Sequence, residues 1–269
     1  MNPERRDSSE ALAGRTILAV FAHPDDESLA CGGTLARLAD AGARVILVCA
    51  SHGELGSPEG PVSNDELGRT RTAEVREAAR ALGIATVIVL DHPDGDLRWA
   101  RIAEFHADIV MAIRRYAPAA VITFGEDGLY WHPDHIGVFE RTTAAVRSLG
   151  IDAPALYYVT MRQGMMRTIV DAATARGWTP PRNGFWSLAP DAFGAAAQPP
   201  GFVVDVRDQV PRKLAAILCH RTQMGSGHPL DQIRDQDARD WLGIEQFQRA
   251  PNAAARHRVL EELGRPWGE

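Results

Sequence analysis

Two short clusters of histidine and aspartate carry the reactive chemistry of this sequence. The first, residues 22–27, reads Ala-His-Pro-Asp-Asp-Glu and directly follows an apolar segment. The second, residues 132–135, reads His-Pro-Asp-His and also follows an apolar segment. Imidazole and carboxylate groups are ligands of catalytic zinc, and open α/β sheets place ligand sites beyond the carboxyl ends of their strands. The clusters therefore predict one metal-dependent hydrolytic site built from distant parts of the chain.

The spacing within each cluster indicates which side chains share the ion. His23 and Asp26 are three positions apart, so they lie on one face if Pro24 opens a helix. His132 and His135 have the same spacing, again with a proline after the first histidine. Catalytic zinc takes three protein ligands and keeps one position for water. We therefore assign His23, Asp26 and His135 to the metal.

The polar side chains left over in the clusters are candidates for proton transfer. A carboxylate beside a metal-activated water takes the proton of that water, and Asp25 is the candidate for this role. A protonated imidazole stabilises the oxyanion that forms when water attacks an amide, and His132 is the candidate. Asp134 is expected to hold the His132 ring as its carboxylate partner. This set predicts hydrolysis of an amide to an amine and a carboxylate.

The elements that must position these side chains follow from the hydrophobic pattern. Apolar runs, continuous as in strands buried on both faces, span 16–22, 44–50, 86–90, 119–124, 155–159 and 201–206. Helices are predicted over 29–41, 97–116 and 208–223, and over the segment from the capping box at 63–66 to Gly83. This alternation predicts a Rossmann-like α/β three-layer sandwich with a mostly parallel central sheet.

The domain organisation predicted from the sequence is simple. Residues 1–14 form a polar N-terminal tail, and residues 15–269 form a single domain. The stretch 161–200 breaks the alternation, with several Gly, Pro and Met residues and two Trp. We interpret it as an irregular excursion that covers the site, contacts another subunit or lies as a plain surface segment; the sequence leaves these three alternatives open.

Composition excludes several classes of function. The net charge of −6 argues against nucleic acid as a partner, because phosphate binding needs basic stripes. No apolar stretch reaches the roughly 18 residues of a membrane span, and residues 1–14 lack the apolar core of a signal peptide. The three cysteines are widely spaced and predict reduced thiols. We expect a cytoplasmic enzyme acting on a small molecule, and we leave open whether it is a homo-oligomer.

These motifs resemble those of the PIG-L/LmbE family of zinc-dependent N-acetylglucosaminyl deacetylases. The two clusters carry the resemblance, and the segments 71–74, 82–83 and 94–95 are similar to further family positions, so that it covers most of the chain. The resemblance implies an LmbE-like fold and one Zn²⁺ per chain. It also implies removal of an acetyl group from an N-acetylglucosamine-type sugar or glycoconjugate. His23, Asp26 and His135 match the metal ligands, Asp25 the general base and His132 the oxyanion-stabilising histidine.

The resemblance suggests four more site residues. Tyr130 matches a mobile tyrosine that contacts the carbonyl oxygen, and Arg71 matches an arginine that holds sugar hydroxyls. Arg71 also leads the apolar helical stripe 75, 78 and 82, which directs it into a cleft. Asp94 occupies a matching position and is assigned to substrate binding. Trp131 departs from the family, where many members have glycine, and is expected to narrow the cavity mouth or stack on a sugar.

Three alternatives remain open at this level. One is an amidase that cleaves a thiol conjugate carrying an acylated glucosaminyl group. Another is a non-catalytic module that binds a metal or a sugar, although binding alone does not need the free carboxylate of Asp25. The third concerns the ion, because a site of two histidines and one aspartate also accepts Fe²⁺. Dinucleotide and serine-hydrolase chemistry are set aside, because the chain has neither a GxGxxG nor a GxSxG motif.

Overall fold

The computed structural model describes residues 12–58, 60–182, 185–225, 228–232, 235–251 and 258–268. The predicted tail, residues 1–14, therefore lies largely outside the described residues. The strands are β1 Thr16–Phe21, β2 Arg44–Cys49, β3 Thr86–Val89, β4 Ala120–Phe124, β5 Ala155–Thr160, β6 Phe202–Asp205, β7 Ile244–Arg249 and β8 Arg265–Pro266. The helices are α1 Asp26–Asp40, α2 Asn64–Leu82, α3 Ile102–Tyr116, α4 Gly128–Trp131, α5 Pro133–Ser148, α6 Met165–Ala175, α7 Val210–Cys219, α8 Arg221–Met224 and α9 Asp235–Leu242.

The strand order explains why the two clusters meet. The sheet has the order β3-β2-β1-β4-β5-β7-β6-β8, and β1 pairs in parallel with both β2 and β4. The chain first adds strands on one side of β1 and then crosses to the other side to form β4. A ligand crevice opens at such a switch point, beyond the carboxyl ends of the two central strands. The first cluster follows β1 and the second follows β4, so both open onto this crevice.

Helices flank the sheet in two groups, with α1, α2 and α7 packed together and α3 packed on α5. The α/β class with a mostly parallel sheet is therefore confirmed. The strands of the described residues belong to one sheet, which supports the proposal of a single domain over 15–269. None of the helices in the described ranges combines the length and hydropathy that a bilayer crossing requires.

The far edge of the sheet differs from the prediction because β7 was not anticipated. Its sequence, Ile-Glu-Gln-Phe-Gln-Arg, is polar, yet it pairs antiparallel between β5 and β6. Glu245 is buried there because its carboxylate accepts the backbone N–H groups of Gly33 and Thr34 and pairs with the Lys213 ammonium at 2.6 Å. These partners compensate for the burial of a charged carboxylate, a group that is ordinarily found at the protein surface.

Helix boundaries were right where local signals set them. The Ser63 hydroxyl accepts the Glu66 N–H, and Gly83 ends α2 with a left-handed φ of 79°. The side chains of Val75, Ala78 and Leu82 are fully buried, as the stripe led by Arg71 predicts. Local capping chemistry and helical period therefore fix α2 without help from distant residues.

The helix predicted over 29–41 is observed as α1, which begins three residues earlier, at Asp26, so that Pro24 does not open it. Two other predicted helices were wrong at one point, each because of a tertiary contact. α3 begins at Ile102 rather than at residue 97. The segment before α3 is held instead by its Leu97 N–H, which donates to the Asp134 carboxylate at 2.9 Å. The helix predicted over 208–223 breaks at His220, whose ring is paired with a buried carboxylate of α1.

The excursion over 161–200 contains α6 and short 3₁₀ turns at Phe185–Ser187 and Pro190–Ala192. Its apolar side chains pack into a second core that also includes residues of α7 and α9. Phe185 and Trp186 face the crevice at the carboxyl end of the sheet, so the excursion supplies part of the wall of the site.

Candidate metal and catalytic site

The three predicted metal ligands are brought together in the crevice. His23, Asp26 and His135 are buried, and one ligand atom from each lies within 4.8 Å of the others. The Asp26 carboxylate is 3.4 Å from Nδ1 of His23 and 3.1 Å from Nε2 of His135. Burial opposes ionisation of Asp26, but the two imidazoles lower its pKa well below the ordinary value. The group is therefore an anion facing two imidazoles.

Hydrogen bonds fix the orientation of both rings. His135 Nδ1 donates to the carbonyl of Gly128 at 3.0 Å, which leaves Nε2 with a free lone pair. His23 Nε2 lies 3.0 Å from carboxylate oxygens of Asp94 and of Asp134, which leaves Nδ1 toward Asp26. Metal-binding histidines are commonly oriented by such carbonyl and carboxylate partners. The two remaining ring nitrogens therefore converge on the Asp26 carboxylate as ligands.

The arrangement fits a divalent cation. His135 Nε2 is buried and makes no hydrogen bond within the described part of the chain, although a carboxylate oxygen is 3.1 Å away. A buried nitrogen without a hydrogen bond costs free energy unless it has another kind of partner, such as a metal ion. Two imidazoles and one carboxylate are also a donor set that zinc accepts.

Asp134 has a different partner from the one predicted. Its carboxylate is fully buried and accepts the N–H groups of Gly95 and Leu97 in addition to its contact with His23. The expectation that it holds the His132 ring is corrected, because only its backbone N–H contacts that ring. Although Asp134, His23 and His132 lie close enough to share an ion, the two backbone donors already occupy the carboxylate. Asp134 thus orients the metal ligand His23.

Asp94 also contacts the candidate metal ligand His23, and it lines the cavity. Its carboxylate accepts the Leu55 N–H at 2.8 Å and contacts His23 at 3.0 Å. Burial opposes ionisation, but the contact with His23 lowers the pKa of Asp94 to about 2. Asp94 also lines the cavity, so a substrate hydroxyl can reach it. Its predicted role in substrate binding remains a prediction.

Asp25 projects into the cavity beside the metal ligands. It precedes α1 with a φ of 137°, a strained conformation for a residue with a side chain. Its backbone N–H donates to the Glu27 carboxylate at 3.1 Å, which holds this conformation. Burial raises the pKa of Asp25 to about 6, while the nearby Arg71 guanidinium opposes the shift. A pKa close to neutrality suits a general base.

Arg71 holds the Asp25 side chain. The buried guanidinium donates to the Asp25 carboxylate at 3.1 Å and to the carbonyls of Pro24 and Gly53 at 2.8 and 2.7 Å. A Cβ on Gly53 would come within 2.4 Å of the guanidinium carbon, so glycine is needed for this approach. Arg71 points into the cleft as predicted, but its observed partners are Asp25 and the backbone. Its contact with a sugar remains a prediction.

His132 is placed to donate a hydrogen bond in its neutral form. Its Nδ1 accepts the Asp134 N–H at 3.3 Å, so the proton of a neutral ring resides on Nε2. Burial and the nearby imidazoles of His135 and His23 lower the pKa of His132 to about 4. The predicted imidazolium is therefore corrected to a neutral imidazole whose Nε2–H is available as a hydrogen-bond donor, as in other enzymes with a depressed histidine pKa.

The two aromatic residues before the second cluster point in different directions. The Tyr130 ring lies 5.2 Å from the His135 ring and 4.7 Å from the Phe193 ring, at the wall of the cavity. Burial raises its pKa, so its hydroxyl remains a donor. Trp131, with a φ of 66°, is 56% exposed and is not among the described residues that line the cavity. Its expected place at the mouth is corrected, because this turn directs its ring to solvent.

The cavity has a volume of about 770 Å³. Its floor carries His23, Asp25, Arg71 and His132. The excursion forms part of the wall, which is one of the three alternatives that the sequence left open, and α8 with the segment after it forms another part that the sequence did not indicate. Those walls include Trp178, Phe185, Trp186, Leu188, Gln223 and His228. Trp178, Phe185 and Trp186 are positioned by packing in the second core, for which the sequence carries no local signal.

A buried pair between Glu27 and His220 was also missed. His220 Nε2 donates to Glu27 Oε1 at 3.0 Å, and both side chains are almost fully buried. Glu27 Oε2 accepts the Asp25 N–H, so the pair supports the strained turn beneath the candidate base. The two residues are 193 positions apart, and neither has a local pattern that would identify its partner.

Replacement of His220 by Gln should cost stability in a manner that depends on pH. Burial opposes the charged ring, but the Glu27 carboxylate raises the pKa of His220 above its ordinary value in the folded protein. The resulting stabilisation is complete below the unfolded pKa of about 6.5 and is lost as pH rises through the folded pKa. Urea unfolding of wild type and His220→Gln should therefore differ more at pH 6 than at pH 9.

The matched control for this prediction is Glu27→Gln, which removes the charge that raises the pKa of His220. In that background, His220→Gln should change the free energy of unfolding by a similar amount at both pH values. An equal loss at pH 6 and pH 9 in the wild-type background would contradict the assignment of this pair.

Comparison with known proteins gives consistent matches. The family model described as PIG-L, GlcNAc-PI de-N-acetylase, matches residues 18–146, which include both clusters. A 1D-myo-inositol 2-acetamido-2-deoxy-alpha-D-glucopyranoside deacetylase from Thermobispora bispora is 31% identical over 275 residues, covering 88% of each chain. The protein of the same name from Thermomonospora curvata is 34% identical over 270 residues, covering 87% of this chain and 89% of its own.

Among solved structures, the N,N'-diacetylchitobiose deacetylase from Pyrococcus horikoshii superposes with a TM-score of 0.63. The two chains are 24% identical, and the match covers 88% of this chain and 84% of the other. At this identity the likeness concerns the fold, and it agrees with the observed sheet and its flanking helices.

Proposed function

The chain belongs to the PIG-L family of N-deacetylases, and from that premise we propose that it is a zinc-dependent hydrolase. Its proposed reaction removes the acetyl group from an N-acetylglucosamine-type sugar or glycoconjugate. The observation that carries the proposal is the carboxylate of Asp25, which is held by Arg71 but is not one of the candidate ligands, beside a buried group of two imidazoles and one carboxylate. Such a carboxylate is needed for hydrolysis and has no function in a module that only binds a metal.

His23, Asp26 and His135 would hold the zinc. When bound, zinc would lower the pKa of water to about 7 and would polarise a carbonyl group. Asp25 takes the proton of the attacking water, since its pKa of about 6 keeps it largely ionised at pH 7.5. Arg71 fixes the direction of that carboxylate through its hydrogen bond. Asp25 then returns the proton to the departing nitrogen, so that the amine leaves rather than the amide anion.

Two donors face the position where negative charge develops on the carbonyl oxygen. The neutral His132 ring presents Nε2–H, and its neighbour Tyr130 presents a hydroxyl that stays protonated. Removing one such preorganised donor from a comparable site lowers kcat by roughly 10²–10³-fold. His132 and Tyr130 are therefore assigned to oxyanion stabilisation.

The shape of the cavity supports a substrate larger than a monosaccharide. Its volume of about 770 Å³ lies in the range of sites for ligands of several rings, about 300–1,000 Å³. The relatives from Thermobispora bispora and Thermomonospora curvata are named for an acetamido sugar carried by inositol. We propose a glucosaminyl group attached to a second polar ring as the substrate. The buried free cysteines Cys31 and Cys49 support the proposal of a cytoplasmic location.

Amine release from a panel of N-acetylated amino sugars tests this function. The panel contains N-acetylglucosamine, its inositol glycoside, N,N'-diacetylchitobiose and a thiol conjugate that carries an acylated glucosaminyl group. Hydrolysis with a preference for the inositol glycoside is expected, with elemental analysis of the same sample giving about one zinc per chain. A preference for the thiol conjugate would favour the amidase alternative. Tight binding without any release would favour a non-catalytic module, and bound iron would correct the metal.

A further inference from the structure

A second cavity, separate from the polar one, reaches the same metal centre. It has a volume of about 50 Å³ and is lined almost entirely by apolar side chains. We call it the acyl chamber and define it by Met165, Met166, Ile169, Ile217, Leu230 and Leu242. These residues come from α6, α7, the segment after α8 and α9, and most belong to the second core. The roles proposed above for the candidate site leave this space unassigned.

The two cavities meet at the candidate catalytic residues. Asp25, Tyr130, Phe185 and Trp186 line both of them and form the partition between the two. The metal ligand His23 faces the polar cavity, whereas Asp26 and His135 face the acyl chamber. A carbonyl carbon held at this junction therefore has polar space on one side and apolar space on the other.

An amide has a matching division of polarity. Its nitrogen carries the sugar, whose hydroxyls need the polar groups of the large cavity, including Arg71, Asp94 and Gln223. Its carbonyl carbon carries the acyl chain, whose methyl and methylene groups gain free energy when they leave water for an apolar chamber. The sugar therefore belongs in the large cavity and the acyl chain in the small one.

We propose that the acyl chamber binds the alkyl part of the acyl group, so that the enzyme hydrolyses N-propionyl and N-butyryl amino sugars as well as N-acetyl ones. This inference rests on the proposed function. The reaction remains a hydrolysis in which the C–N bond breaks and a C–O bond to water forms. The products are the amine and propionate or butyrate, and no other reactant is required.

The volume of the chamber sets a limit on the chain length. A cavity of about 150 Å³ accepts benzene, and one water occupies about 30 Å³ in the liquid. A chamber of about 50 Å³ therefore holds about two carbons, which are the two terminal carbons of a butyryl chain whose first methylene lies at the junction with the polar cavity. Chains of six carbons exceed this space and would have to displace Met165 or Ile169.

A series of N-acyl glucosaminyl substrates with acyl chains of two, three, four and six carbons tests the proposal. We expect kcat/KM for propionyl and butyryl to equal or exceed that for acetyl, because each buried methylene is worth about tenfold or more in a fitting pocket. For hexanoyl we expect a fall of at least tenfold from butyryl. Hydrolysis of the N-acetyl substrate alone would overturn the proposal of an acyl chamber and leave the proposed function intact. No release from any member of the series would overturn both.

Two variants distinguish a binding chamber from a packing defect. Ile169→Phe fills the space and should lower kcat/KM for butyryl at least tenfold more than for acetyl. Met165→Ala widens the space and should move the preferred chain toward hexanoyl. Val170→Phe, the next position on α6 but outside the lining, is the matched control and should leave the ratio of butyryl to acetyl unchanged. If Ile169→Phe only raises the thermal stability and keeps that ratio, the space is a packing defect and the proposal is wrong.

Direct binding gives a readout that does not depend on turnover. Calorimetric titration with acetate, propionate, butyrate and hexanoate should show the tightest binding for butyrate in the wild-type protein. In Ile169→Phe that maximum should shift to acetate. Equal affinity for the four carboxylates would contradict an apolar site for the alkyl chain.

Discussion

Asp25→Asn is expected to lower kcat by about 10²–10⁴-fold while the metal content stays unchanged. The substitution removes the basic oxygen but keeps the shape of the side chain, and the amide oxygen still accepts the Arg71 hydrogen bond now made at 3.1 Å. Burial raises the pKa of Asp25 to about 6, so the carboxylate takes protons readily near neutral pH. Asparagine cannot do so at any pH between 5 and 9. Single-turnover kinetics with elemental analysis of the same sample measure both quantities.

The control for this prediction is Asp65→Asn, an exposed acid in the first turn of α2. It carries the same chemical change outside the cavity and should turn over at the wild-type rate. An Asp25→Asn protein that retains more than one tenth of the wild-type kcat with full metal would remove Asp25 as the base. Another group, such as Asp94 on the cavity wall, would then have to take the proton.

His135→Ala is expected to lose the metal, with zinc affinity weakened by on the order of 10²-fold or more. Loss of an outer partner of a metal ligand already costs about 10–100-fold, and His135 is one of the three ligands themselves. Its buried Nε2 makes no hydrogen bond in the described ranges and lies 3.1 Å from an Asp26 carboxylate oxygen, so we expect this atom to act as a ligand. Dialysis against a zinc buffer followed by elemental analysis gives the content, and turnover should fall in parallel.

Unfolding of the variant would also release the metal, so it has to be distinguished from the loss of a ligand. The His135 ring stacks on Phe124 at 4.0 Å, so alanine leaves a space in the core and lowers stability as well. His135→Gln keeps more of the side-chain volume and should lose the metal with a near-normal circular dichroism spectrum. Asp25→Asn, which alters the same site without removing a ligand, serves as the reference for full loading. A full zinc content in His135→Gln would move the third ligand elsewhere.

Local signals in the sequence were sufficient for much of the fold. The apolar runs that form β1, β2, β4 and β5 are buried in the parallel part of the sheet. Their continuous hydrophobicity indicates that both faces of these strands are covered. The capping box and the terminal glycine of α2 act through neighbours within a few residues. The strand β7 escaped prediction because its stability depends on distant partners of Glu245 rather than on its own composition.

The sequence by itself determined which side chains are the candidates for the chemistry, because residue type and spacing put His23, Asp26 and His135 near the ends of two apolar strands. Only the tertiary structure decided what each remaining group does. Asp134 orients His23 rather than His132, Arg71 holds Asp25, and His132 is neutral. The physical reason is that an ionisable side chain takes its role from its partners and its burial, and both are created by contacts between segments that are far apart in the sequence.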